Sequence, residues 1–390
     1  MPGAVSLALP AQPFRSAVSA AVAPLQSLFS RFFGGTADIR VMIVSDSKDV
    51  ATGGGAGPQN LTGAINYNPA AAVALEMAQR GLVTSLGSSY SDGNVTSVGV
   101  ARSTYDPRWS PLPADNSWSV RSDTTAGGRV YQALATAARM TFTPVEVFDT
   151  ITIMLNRGSL SANLLIDVDG GAQQPLVPAG STASGLIRFS VTVPRGAHTI
   201  GIQPTGNAIF WVGIEVSDST TPTARIITLA ASGWRASRTL ASASWSETTN
   251  VYSPLNALLA LKPDVAILPI GTNDMINAVP IEGASGAVAF LPAMREIIDA
   301  LRAAGIFCVL ATPDYFDPAR CPVERQEAYR QAILALAASY AAPVIDMALL
   351  GSYAARRAAG DFYDGLHLTR QGSAKRGQFI GRQLLEWAAA

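Results

Sequence analysis

The chain has 390 residues, 48% of them hydrophobic and only 14% charged, with 28 Lys+Arg against 28 Asp+Glu. A net charge of zero leaves no electrostatic footprint for nucleic acid, and no run nears the roughly 18 apolar residues of a membrane span. Two cysteines, Cys308 and Cys321, and two histidines, His198 and His367, exclude a disulfide scaffold, a cysteine zinc site and a multi-histidine metal centre.

Residues 1–37 read as an attachment or docking segment. Arg15 and Arg31 flank a weakly amphipathic stretch, Ser16 to Phe33, for which a helix packed on the main body is the plainer reading. The segment lacks the basic head and tight apolar block of a signal peptide, so cytoplasm, virion and non-classical export all stay open.

From Asp38 onward, buried strands alternate with helices. Ile39 to Val44 is an apolar run suited to a strand buried on both faces. Asn68-Pro69 opens a helix that stops at Gly81. Ile226 to Ala230 predicts the next strand, Ser253-Pro254 a helix through Leu261, and Val265 to Ile270 a third strand. Phe290, Met294, Ile297 and Leu301 share one helical face that ends at Gly305. Ile306 to Leu310 is a fourth strand, Glu324 to Tyr340 a helix, Val344 to Asp346 a fifth strand and Arg370 to Trp387 a closing helix. This grammar implies a parallel five-stranded sheet with helices on both faces, built from 38–81 and 225–390.

The stretch 82–224 has a different period. Ile187, Phe189, Val191 and Val193 alternate with polar residues, and turn signals such as Asp169-Gly170-Gly171 and Pro204-Thr205-Gly206 separate short strands. An inserted antiparallel β-sandwich, jelly-roll-like, is expected there.

Ligands of an open parallel sheet gather beyond the carboxyl ends of its strands. Four clusters fall near such ends or before the last helix: Ser45-Asp46-Ser47, Gly233 in Ala231-Ser232-Gly233-Trp234, Gly271-Thr272-Asn273-Asp274, and Asp364-Gly365-Leu366-His367. Each alone reads as a turn or helix cap. Together they supply a serine, an asparagine and an Asp/His pair to one pocket.

These four blocks, in this order, resemble those of the SGNH hydrolases, also called GDSL esterases. The resemblance covers about 38–81 and 225–390 and implies a flavodoxin-like α/β/α sheet order. Ser45 stands where the family has its first glycine, and Gly53 lies further from Ser47 than the family's spacing. By this resemblance Ser47 attacks an ester carbonyl, His367 takes its proton, and Asp364 orients the imidazole. The backbone N–H groups of Ser47 and Gly233, with the Asn273 amide, form the oxyanion hole. No metal or other cofactor is implied.

Hydrolysis of a small acyl ester, above all O-acetyl, on a carbohydrate follows from the blocks and from similarly built enzymes that carry a β-sandwich. One rival is a lipase or thioesterase acting on lipid acyl chains. Another is a catalytically dead, glycan-binding component such as a phage tail protein, and the two ideas combine in a virion-borne deacetylase. His198, at the start of an inserted strand, reads as a strand-edge residue rather than the base. The run Gly53 to Gly57 lacks the GK[ST] ending of a phosphate loop. The sugar, the oligomeric state and the compartment stay open.

Overall fold

The computed structural model describes residues 13–46, 69–85, 89–90, 108–110, 118–121, 130–133, 139–157, 163–182, 185–205, 209–230, 233–238, 244, 246, 253–283 and 288–389. The chain opens with α1 (Pro13–Phe33), β1 (Ile39–Ser45), α2 (Pro69–Gln79) and β2 (Thr84–Ser85). Eleven strands follow: β3 (Ser89–Tyr90), β4 (Trp109–Ser110), β5 (Trp118–Arg121), β6 (Val130–Ala133), β7 (Met140–Phe142), β8 (Phe148–Arg157), β9 (Leu164–Val168), β10 (Gln174–Pro175), β11 (Gly185–Gly196), β12 (Ile200–Pro204) and β13 (Ile209–Ser217). The alternation then resumes with β14 (Ala224–Ala230), α3 (Pro254–Leu261), β15 (Val265–Leu268), α4 (Thr272–Ile276), α5 (Phe290–Ala303) and β16 (Phe307–Ala311). It closes with α6 (Val323–Ser339), β17 (Val344–Ile345), α7 (Tyr353–Ala358) and α8 (Arg370–Ala389).

The parallel sheet runs β17-β16-β15-β1-β14-β2. Without its last strand this is the flavodoxin-like order. The sixth strand, Thr84–Ser85, is an addition to the five expected; two residues are too few for any periodic signal. The central sheet strands are mostly apolar because both faces are covered. Val41, Ile43, Ile226, Ile267 and Val309 pack with residues of α1, α2 and α8 on one side. Met42, Val44, Leu229, Leu268 and Leu310 pack with residues of α3, α5 and α6 on the other. Leu25, Phe29 and Phe32 of α1 are buried in the first of these cores.

Between β2 and β14 the chain builds two antiparallel sheets, β10-β9-β12-β7-β4 and β11-β8-β13-β6-β5, with β3 also paired to β13. Phe142, Ile166, Ile200 and Ile202 of one sheet meet Ile151, Ile153, Leu155, Ile214 and Val216 of the other in one core. The period-two strand β11 lies at a sheet edge, and its Ile187, Phe189, Val191 and Val193 are half-buried. Asp169 and Gly170, both at positive φ (54° and 72°), make the tight turn after β9. The sandwich leaves from β2 and returns into β14, where Ala224 pairs with Thr84, so its two ends are neighbouring strands.

Residues of β8 and β13 that point away from the sandwich core meet the α/β layer. Met154 joins the core around Leu229 and Leu255. Glu215, 2% exposed, accepts from Arg40 of β1 and, at 3.4 Å, from Nη1 of Arg225 of β14. Arg40 also donates through Nη1 to the Leu261 carbonyl at 2.6 Å, and Arg225 pairs with Asp38.

His198 is absorbed by the sandwich. Its Nδ1 lies 2.7 Å from Asp169 Oδ2 and its Nε2 lies 2.7 Å from the Pro194 carbonyl, so both ring nitrogens face acceptors. The imidazolium satisfies both, and the Asp169 hydrogen bond, followed by the Pro194 one, raises its pKa. A raised pKa stabilises the fold fully below the unfolded value of about 6.5 and stops doing so as pH rises through the folded one. The melting-temperature advantage of the wild type over His198→Gln should therefore be largest in mildly acidic buffer and shrink in alkaline buffer. A gap that widens with pH would refute this pairing.

Candidate active site

Strand β1 sits between β15 and β14, with Ser45 opposite Ala230 and Ile43 opposite Ile267, so the carboxyl ends of three strands adjoin. Ser45, fully buried, is the last residue of β1, and its Oγ donates to the Pro269 carbonyl at 3.4 Å. A strand-paired residue in this place requires no glycine, which accounts for serine here. Asp46 is buried beside it at 1% exposure. Ser47 and the glycines from 53 to 57 lie outside the described residues.

Gly233, just after β14, is exposed and has a φ of 78°. A Cβ there would meet no atom within 4 Å, so backbone conformation and not crowding selects glycine. Beyond β15, Gly271 serves as the N-cap of α4 without any side-chain cap bond. The reading of Asn273 and Asp274 as caps thus has no counterpart in α4. Asn273 instead donates from Nδ2 to the Trp234 carbonyl at 2.8 Å. Asp274, fully buried, accepts from the backbone N–H groups of Ala236 at 3.0 Å and Ser237 at 3.1 Å. The third block therefore grips the second.

Asp364 and His367 lie on a tight turn closed by the Phe362–Leu368 bridge and by Tyr363 N–H donating to the His367 carbonyl at 2.8 Å. Asp364 Oδ1 accepts from the N–H of Leu366 at 3.0 Å and of His367 at 2.8 Å, and Oδ2 lies 2.9 Å from His367 Nδ1. Burial pushes the Asp364 carboxyl up, but the backbone and ring N–H of His367 outweigh it and hold the group at about 2. An ionised carboxylate on Nδ1 fixes that nitrogen as the donor and makes Nε2 the proton acceptor. The turn rests on the loop after β16, where Asp317 N–H donates to the Gly365 carbonyl at 2.9 Å. It therefore sits at the carboxyl end of the sheet, the end at which Ser45 and Gly271 lie.

Charged residues without any periodic signal in the sequence hold this turn from below. Arg356 donates to Asp314 at 2.6 Å and to Asp361 at 3.3 Å, and Arg376 pairs with the same Asp314. All four side chains are at most 3% exposed. Lys375 reaches Asp361 at 2.6 Å, and Arg357 donates to the Tyr363 carbonyl at 3.0 Å. Nothing in the local sequence marks these six residues, because their partners are brought together by packing. Arg320 borders the pair from outside, with Nη2 3.5 Å from Asp364 Oδ2. Among the described residues no group of three or more His, Cys, Asp or Glu is arranged to hold a metal, and no helix is long and apolar enough to cross a membrane.

Residues 199–375 match the model of the GDSL-like Lipase/Acylhydrolase family. The match takes in the second, third and fourth blocks and leaves Ser45 to Ser47 outside it. No curated protein matches the chain. Among solved structures, a peptidoglycan O-acetylesterase aligns over 95% of this chain and 97% of its own, at 15% identity and a TM-score of 0.65. A family two carbohydrate esterase from Cellvibrio japonicus aligns over 74% and 98%, at 11% identity and a TM-score of 0.29. A carbohydrate esterase family 2 enzyme with a carbohydrate binding domain from Corynascus thermopiles aligns over 65% and 94%, at 15% identity and a TM-score of 0.31. The first likeness is one of fold, and it extends over nearly the whole chain.

Proposed function

We propose that the chain is a serine esterase that removes small acyl groups, O-acetyl above all, from a carbohydrate polymer. The observation that carries the reading is the Asp364–His367 pair, joined at 2.9 Å and set at the sheet end where β1 runs on toward Ser47. In this mechanism His367 Nε2 takes the Ser47 proton as Oγ attacks the ester carbonyl. The imidazolium so formed is stabilised by Asp364 and then gives its proton to the leaving sugar oxygen. Water repeats the sequence on the acyl-enzyme and releases the acid. The tetrahedral oxyanion is met by the N–H groups of Ser47 and Gly233 and by the Asn273 amide.

Support for the acyl and sugar classes comes from the family of acylhydrolases and from the fold shared with a peptidoglycan O-acetylesterase. The test is acetate release from a panel of O-acetylated polymers, peptidoglycan and plant glycans included, with Ser47→Ala as the blank. Acetate released equally by the blank would end the proposal. Turnover confined to long-chain acyl esters would move it to lipids.

Asn273 offers a sharper test. As an oxyanion donor, its change to Ala should lower kcat by about 10²–10³ with little effect on KM. A purely structural Asn273 would lose about 1 kcal/mol for its bond to the Trp234 carbonyl and keep its turnover. Kinetics and thermal melts on one preparation separate the two.

A further inference from the structure

Asn273 and Asp274 are adjacent on α4, yet both side chains reach across to the same short segment after β14. Asn273 Nδ2 donates to the carbonyl of Trp234, and the two Asp274 oxygens accept one N–H each from Ala236 and Ser237. Three hydrogen bonds therefore fasten residues 234–237 to α4. Gly233 is the exposed residue immediately before them, and its N–H direction depends on where that segment sits.

We propose that Asp274 is a positioning residue for the oxyanion site, holding the Gly233 N–H at its working distance from the Asn273 amide. The proposal rests on the reading of Gly233 and Asn273 as oxyanion donors. A buried carboxylate is costly and is retained where its oxygens are satisfied. Here the satisfaction comes from two N–H groups of another segment, whereas a helix-capping carboxylate would turn to its own helix. Burial raises the Asp274 pKa, and the Ala236 and Ser237 N–H groups oppose it by favouring the charged form that can accept from both. The anchored stretch also brings Trp234, 5% exposed, into the core under the site, so the clamp has a rigid floor. Oxyanion donors act only when preorganised, and a misplacement of about 1 Å costs on the order of 10² in rate.

The experiment compares Asp274→Asn and Asn273→Ala with wild type in the full chain. Asparagine keeps the size of Asp274 but turns an NH₂ toward one of the two N–H donors, so one attachment is lost. Asp274→Asn should lower kcat on 4-nitrophenyl acetate by about 10- to 100-fold, with KM within about threefold. Inhibition by phenylboronic acid, which forms a tetrahedral adduct on serine, should weaken by the same factor. A variant that melts earlier but keeps wild-type kcat and boronate affinity overturns the proposal, because a merely structural carboxylate would behave so. Asn273→Ala distinguishes the levels. If it is impaired while Asp274→Asn is not, the oxyanion reading stands and this inference fails. If Asn273→Ala turns over like wild type, the oxyanion reading itself is wrong. Should Asp274→Asn not fold, amide exchange in the wild type decides. Slow exchange at Ala236 and Ser237 supports the clamp, and exchange at unprotected rates refutes it.

Discussion

Replacing His367 by Ala is expected to lower turnover of 4-nitrophenyl acetate by about 10⁴-fold or more while leaving the melting temperature within a few degrees. The side chain is half-buried on a surface turn, so the fold does not depend on it, whereas the proposed proton transfer does. Ser47→Ala should fall equally far, because the members of a triad act as one unit and removal of either leaves only residual binding and oxyanion stabilisation. Asp364→Asn should lose about 10⁴, since an amide opposite Nδ1 permits the wrong tautomer. With Asp364 held at about 2, its carboxylate stays charged through the neutral and mildly acidic range. Because only a neutral ring can accept the serine proton, turnover should fall toward acid pH. An active His367→Ala enzyme with an unchanged acid limb would sink the assignment.

The second large effect is at the junction of sandwich and α/β layer. Glu215→Ala should cost about 3–5 kcal/mol in unfolding free energy, read as a lower urea midpoint at constant slope. The change leaves Arg40 and Arg225, which are 7% and 8% exposed, without the carboxylate that faces both. Glu215→Gln should recover part of the loss through hydrogen bonding. A Glu215→Ala protein as stable as wild type would show that the junction contributes nothing. The same geometry changes how the sandwich must be removed. A cut after Ser85, with a Gly/Ser linker to Thr223, keeps the β2–β14 pair. It removes Glu215 and the Met154 contact, so apolar replacements at Arg40 and Arg225 are needed for a soluble product. That product should still hydrolyse 4-nitrophenyl acetate and lose most activity on acetylated polymer, if the sandwich holds the glycan. Equal losses on both substrates would assign the sandwich a structural role alone.

The α/β character and the strand–helix alternation were legible in the sequence because each signal is local. Runs such as Val265–Leu268 are apolar throughout only when both faces are covered, and Phe290, Met294, Ile297 and Leu301 recur at the spacing of one helical face. The Asp364–His367 pair was legible for the same reason, since three residues on one turn suffice to join carboxylate and ring. Strand β2 was not, because two residues carry no period. Nor was the work of Asp274, whose partners lie 37 and 38 residues away in sequence. The sequence also marked Glu215, Arg356 and Arg376 only as scattered charges. Their meaning depends on which buried group of opposite sign the fold sets against each. A long-range pairing in a low-dielectric interior leaves no trace in local spacing, so only the tertiary structure decides it.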